Sequence, residues 1–246
     1  WSGRPRIITK GWEVQGSNLG SESFMIEYIR EKQIKRHGIY GVPIEIKEEI
    51  NFDLERVIDQ IKKIVPENAF DGIKKIIITD MSKVGKGLPF NAYYINNVMF
   101  IDNKQDGTVD AVDDIVHEIS HHLEKRYNDL IYGDKSLESE FVAKRKFLYD
   151  ILAANNMSPP SLIRTTTKYN KKLDDYLYNK LGAKLNNFTN GLFINEYAAT
   201  CLREYYGVGF EKYLMSYNNH KTIKKQSPVL FYKLQELMKE LNEQEK

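Results

Sequence analysis

The chain has a single cysteine, Cys201, so no disulfide can form within it and no metal site can be built from several thiolates. That fits a reducing compartment, and equally secretion by an organism that avoids cysteine. No apolar run approaches the roughly 20 residues needed to span a bilayer. Neither sign of charge dominates: 36 basic residues face 34 acidic ones, a net charge of +2. The two signs are interleaved, as in Glu31-Lys32 and Lys47-Glu48-Glu49. This is a solvated surface, and it excludes nucleic acid as the main partner on electrostatic grounds. Internal repeats and low-complexity linkers are absent as well. The opening Trp1-Ser2-Gly3-Arg4-Pro5-Arg6 has no initiator Met and is not a signal peptide. The expectation is a soluble chain, processed or part of something longer, in the cytoplasm, secreted or associated with a virus particle.

What is present is ordinary for a globular protein: 246 residues, 41% apolar and 28% charged, enough to bury a core without staples. The abundance of Lys, Asn, Ile and Tyr suits an AT-rich genome, such as that of a low-GC bacterium or its phage. The 16 tyrosines are read as packing residues, not as a binding platform. Residues 1–20 read as an extended arm whose Trp1 and Trp12 pack on this domain or on an assembly partner. Residues 21–246 read as a single domain, with strands up to about residue 110 and helices over 111–246.

Apolar spacing predicts helices over 22–37 and 52–65, the second ended by Pro66. Lys74-Lys75-Ile76-Ile77-Ile78-Thr79 is a β-branched run typical of a buried strand. Tyr93-Tyr94-Ile95 and Val98-Met99-Phe100-Ile101 flank Asn96-Asn97, which suits a tight hairpin or a bulge. Helical spacing then recurs over 111–127, 137–154, 171–181, 193–206, 209–217 and 228–242. Strands followed by helices indicate an α+β fold, not an alternating one.

The chemistry lies in His117-Glu118-Ile119-Ser120-His121, an H-E-x-x-H pattern. On a helix, residues four apart share a face, so both histidines can reach one metal ion. Glu118, one residue on from the first ligand, is placed to take a proton from a water activated by zinc. Ile115, Val116, Ile119 and Leu123 supply the apolar surface that buries such a helix. His122 points about 100° away from His121 and is expected behind the site or at the surface.

A catalytic zinc needs a third protein ligand and an open position. Glu138 and Glu140 are candidates, although acidic residues suit a solvated helix start without any metal. Glu196 stands alone between Lys184 and Arg203, among Phe193, Ile194, Tyr197 and Ala198. An isolated carboxylate in an apolar helix needs a partner, and a metal ion is the strongest available. Pairing with Arg203 or a lysine is the bland alternative.

His117-Glu118-Ile119-Ser120-His121 followed by Asn195-Glu196-Tyr197-Ala198-Ala199 resembles the glutamate-zincin (gluzincin) metallopeptidases. Within them it is most similar to the anthrax lethal factor catalytic domain and the Pro-Pro endopeptidases, which share a Glu-aromatic-aromatic-Ala helix and a Pro-containing segment before a final helix. The resemblance covers about residues 70–242 in outline. It implies a zincin-like fold, zinc on His117, His121 and Glu196, Glu118 as general base, and peptide-bond hydrolysis. It also implies that Val98, Met99, Phe100 and Ile101 form an edge strand against which an extended substrate pairs. Counted from Glu196, this chain has Thr189 where the relatives carry an oxyanion-stabilising tyrosine, and Thr200 where they carry a second acidic residue. Tyr169, Tyr176 or Tyr178 is then expected to supply the missing donor.

The leading expectation is a zinc endopeptidase acting on a protein or peptide. The alternative is a structural or interaction protein, for example a component of a virus particle or toxin complex, that keeps the fold with weak catalysis or none.

Overall fold

A computed structural model of the chain describes residues 37–84 and 91–243. The expected arm at 1–20 lies outside these residues, as does the helix expected over 22–37 except for His37, which opens a strand. The described residues divide into two compact units, those of 37–62 and 70–115 in one and those of 63–69 and 116–243 in the other. Among the described residues the architecture is α+β, with one small sheet and a mainly helical remainder. Among the described residues, no helix is long and apolar enough to cross a membrane.

The first unit is built on a five-stranded mixed sheet in the order β1-β2-β3-β5-β4. β1 (His37–Ile39) and β2 (Val42–Ile46) form an antiparallel hairpin. Its turn residues Tyr40 and Gly41 both have positive φ, 48° and 78°, as a two-residue turn matching the twist of the strands requires. β3 (Lys75–Thr79) pairs in parallel with β2 on one side and with β5 (Val98–Asp102) on the other. A strand so enclosed is buried on both faces, and Ile76, Ile77 and Ile78 are. α1 (Leu54–Ile64) makes the crossover from β2 to β3 and buries Leu54, Val57, Ile58 and Ile61, the stripe expected from their spacing.

β4 (Ala92–Ile95) folds back on β5 through Asn96 and Asn97, at φ 51° and 67°. This is the hairpin the Asn-Asn pair predicts, and it corrects one expectation. Val98, Met99, Phe100 and Ile101 are not an edge, because β5 is paired with β3 on one side and β4 on the other. No ladder is left on that strand for a substrate. Ile77, Phe100 and Met81, the last on the short α2 (Met81–Val84), form a cluster covered by Tyr93 and Ile95.

The second unit begins within α3 (Thr108–Arg126), and its helices follow closely on one another: α4 (Asn128–Tyr132), α5 (Ser136–Ala154), α6 (Lys171–Asp174), α7 (Lys184–Thr189), α8 (Leu202–Met215), α9 (Tyr217–Gln226) and α10 (Pro228–Glu243). α6 runs on as wider π-helical turns over Asp175–Leu181. Pro228 sits at the first position of α10, where its missing N–H costs nothing.

α5 organises the loops. Glu140 accepts from the N–H groups of Val229 and Leu230 at the start of α10, and from the Tyr205 hydroxyl at 2.8 Å. Lys144 donates to the carbonyls of Leu192, at 2.6 Å, and Gln226. Arg145 donates to the carbonyls of Ile163, Ala199 and Thr200 at 2.9, 2.6 and 2.9 Å.

Two predicted helices are redrawn. The segment 193–206 is not one helix: Asn195 caps a 3-10 turn at Tyr197–Ala199, Cys201 is extended (φ −155°, ψ 168°), and α8 starts at Leu202. α8 then runs through the expected break near residues 207–209. Gly207 and Gly209 do not end the helix there but let it pack closely, on His117 and Leu230 respectively.

Candidate metal centre

α3 carries His117 and His121 one turn apart on one face, their ring centroids 4.8 Å from each other. The helix is buried on every side over 114–123, so Glu118, at 3% exposure, and His122, at 6%, are enclosed as well. α8 supplies Glu204 from its first turn. Glu204 Oε2 lies 3.0 Å from His117 Nε2 and 3.7 Å from His121 Nε2. The three ligand atoms stand within 4.8 Å of one another. Ligand atoms about 2.05 Å from a tetrahedral centre are about 3.3 Å apart, so the two measured separations bracket what such a centre needs.

The close approach of α8 to α3 depends on Gly207. A Cβ at that position would lie 2.9 Å from His117 Cε1 and 3.1 Å from Ser120 Oγ. Behind the ring, His117 Nδ1 meets Glu211 Oε2 at 3.3 Å, and Lys212 Nζ pairs with the other oxygen of that carboxylate at 2.7 Å. A carboxylate on Nδ1 fixes the ring and would leave Nε2 available to a cation.

The electrostatics ask for a cation. Burial by itself would lower the pKa of His117, but Glu204 and Glu211 outweigh it and raise the value to about 10. Burial would raise that of Glu204, but His121 and His117 hold it well below the usual carboxylate range. Two polar atoms of the same helix, His121 Nε2 in the group and Glu118 Oε2, are buried without a hydrogen-bond partner. Leaving such atoms unpaired costs a few kcal/mol each, so a group that completes them is needed. Two imidazoles and a carboxylate within 4.8 Å of one another suit a first-row divalent cation. The residues present fit one.

Of the residues singled out by sequence, His117 and His121 come together, the acidic group that joins them is Glu204, and Glu118 is buried on the same helix. Glu196 lies outside the His117–His121–Glu204 group, half-buried at the start of the Tyr197–Ala199 turn. The physical reason is the break at Cys201, which separates residue 196 from the helix that crosses α3. Glu140 is committed to α10 and Tyr205. Tyr176 donates to the Met157 carbonyl at 2.7 Å and Tyr169 to Asp174 at 3.4 Å, while the Tyr178 hydroxyl is buried without a partner. Tyr197 has its ring centroid 6.0 Å from that of His117. Burial first, and then Glu204, keep its phenol protonated well above the normal range.

Glu204 is not among the candidates drawn from the sequence, because isolation among apolar residues singles out Glu196 instead. The available signal was Glu204-Tyr205-Tyr206-Gly207: two aromatics and then a residue without a side chain, at the spacing where a helix must touch an imidazole. Comparison of the chain with protein-family models, curated proteins and solved structures finds no match in any of them.

Proposed function

We propose that the chain is a zinc-dependent endopeptidase of the gluzincin type, with a zincin-like fold and with His117, His121 and Glu204 as the metal ligands. One observation carries the reading: a buried His-His-Glu group on a helix whose Glu118, next to His117 in the chain, has a buried carboxylate oxygen without a hydrogen-bond partner. Zinc held there would supply a Lewis acid. Glu118 is the base that takes the proton of the attacking water, and enclosure of its carboxylate keeps competing water away. Tyr197 supports the same reading from a second direction. It stands seven residues before Glu204, the offset at which the gluzincin relatives carry their oxyanion-stabilising tyrosine, and it lies against His117. Its protonated hydroxyl donates to the oxygen of the scissile carbonyl as charge develops, an interaction whose loss costs about 3 kcal/mol in comparable sites.

The test has two parts. Elemental analysis should give one zinc per chain in wild type and in Glu196→Ala, and none in Glu204→Ala. Turnover of an unstructured protein substrate should vanish in Glu118→Gln with zinc retained. Zinc retained by Glu204→Ala would overturn the ligand set. Zinc without turnover in wild type would turn the reading toward a structural or interaction protein that keeps a metal.

A further inference from the structure

Two groups of opposite charge converge on the far nitrogen of His121. Glu124 Oε2 lies 3.5 Å from Nδ1, and the Arg203 guanidinium reaches the same Nδ1 through its Nε–H at 3.1 Å. Arg203 Nε is also 3.2 Å from that carboxylate oxygen, and the Tyr132 hydroxyl donates to the other oxygen of Glu124 at 2.6 Å. The His121 side chain itself has no exposed surface. The two groups make opposite demands. A carboxylate on Nδ1 takes its N–H and leaves the Nε2 lone pair free. A guanidinium has only donors, so it needs Nδ1 as acceptor and obliges Nε2 to carry the hydrogen.

We propose that Glu124 is a positioning residue for the metal centre: it occupies Arg203 and claims His121 Nδ1, so that Nε2 is open to a cation. The inference rests on the proposed His117–His121–Glu204 ligand set and adds to it a competition within the second ring of residues. His117 has no such rival on its Nδ1 among the contacts described, since Lys212 pairs with the far oxygen of Glu211. His121 is therefore the ligand whose readiness is adjustable. Arg203 is adjacent to Glu204 in the chain, so its side chain moves with the α8 turn that brings the third ligand.

The two members of the pair should act with opposite sign. In Glu124→Gln the uncharged amide holds Arg203 weakly, the guanidinium takes Nδ1, and zinc affinity should fall about 10- to 100-fold. In Arg203→Met the competitor is gone and affinity should stay level or rise. The double variant should recover most of the loss, and Tyr132→Phe, a milder change on the same carboxylate, should weaken zinc binding by a smaller factor. Zinc affinity measured on the full chain by competition with a chromophoric chelator decides this, with circular dichroism to verify the fold of each variant. Equal loss in Glu124→Gln and Arg203→Met, or no loss in Glu124→Gln and Tyr132→Phe, would overturn the proposal while leaving the metal site intact. No zinc in wild type would overturn the ligand set itself.

Discussion

Gly207 stands so close to His117 that a single methyl group on it would come within 2.9 Å of the ring. In a solvent-exposed helix, replacing glycine by alanine stabilises by about 0.4–1 kcal/mol. Here the sign should reverse. The imidazole cannot yield, because Glu204 and Glu211 hold it from both nitrogens. Gly207→Ala is expected to lower the melting temperature and to weaken metal binding by tenfold or more. Calorimetry and a metal titration check this, and an unchanged affinity would mean that α8 can shift without disturbing the site.

Metal binding should depend on pH in a definite direction. In the metal-free chain His117 titrates at about 10, above the 6.5 of a free imidazole. Its proton therefore stabilises the fold fully below pH 6.5, and that contribution is lost as pH rises through about 10. A cation on Nε2 must displace the proton, so apparent affinity should rise about tenfold per pH unit across that window. Glu211→Gln removes one of the two carboxylates responsible and should flatten the slope. Chelator-buffered titrations at several pH values read it directly.

Arg145 is 1% exposed, pairs with three carbonyls and no carboxylate, and leaves Nη2 without a partner. Burial lowers its pKa to about 10. Arg145→Met should cost about 3 kcal/mol or more, because the carbonyls of Ile163, Ala199 and Thr200 lose their donor inside the protein. Arg145→Lys keeps the charge but not the fork, and should fall between. Denaturant midpoints order the three proteins.

Asp174 works against the fold at neutral pH. Burial raises its pKa from 3.8 to about 6, against the hydrogen bond from Tyr169. A carboxyl raised in the folded state contributes most below its unfolded value, here pH 3.8, and that contribution is lost as pH rises through 6. Asp174→Asn, which cannot ionise, should match wild type in acid and exceed it in stability above about pH 6. Thermal melts at the two extremes would reveal any failure of the crossover.

Much of this was legible in the sequence, for local reasons. The β-branched run at Ile76–Ile78, the stripe on α1 and the Asn96-Asn97 turn each announce themselves through period or turn chemistry alone. His117, Glu118 and His121 are legible because one helix carries all three. What depended on distant partners was not. Glu204 reaches the histidines only through a helix start that Thr167 helps to set, its carbonyl accepting from Leu202 N–H at 2.8 Å. The β4–β5 hairpin was foreseeable, yet its corollary, that β5 is enclosed, required knowing that β3 lies on the other side. Apolar spacing stops one predicted helix at 206 and starts the next at 209, whereas α8 runs through, with Gly207 packed against an imidazole.

The side chains of α5 also bear on how far the protein can be reduced in size. The stretch between the histidine helix and Glu204 carries no proposed ligand, and a designer seeking a minimal scaffold would remove it first. Yet Glu140, Lys144 and Arg145 close the backbone at the starts or ends of segments beginning or finishing at residues 163, 192, 199, 226 and 229. Excising α5 would strip those termini of their donors and acceptors while deleting no proposed ligand, so a trimmed chain would keep every residue of the proposed site and lose the framework that brings them together.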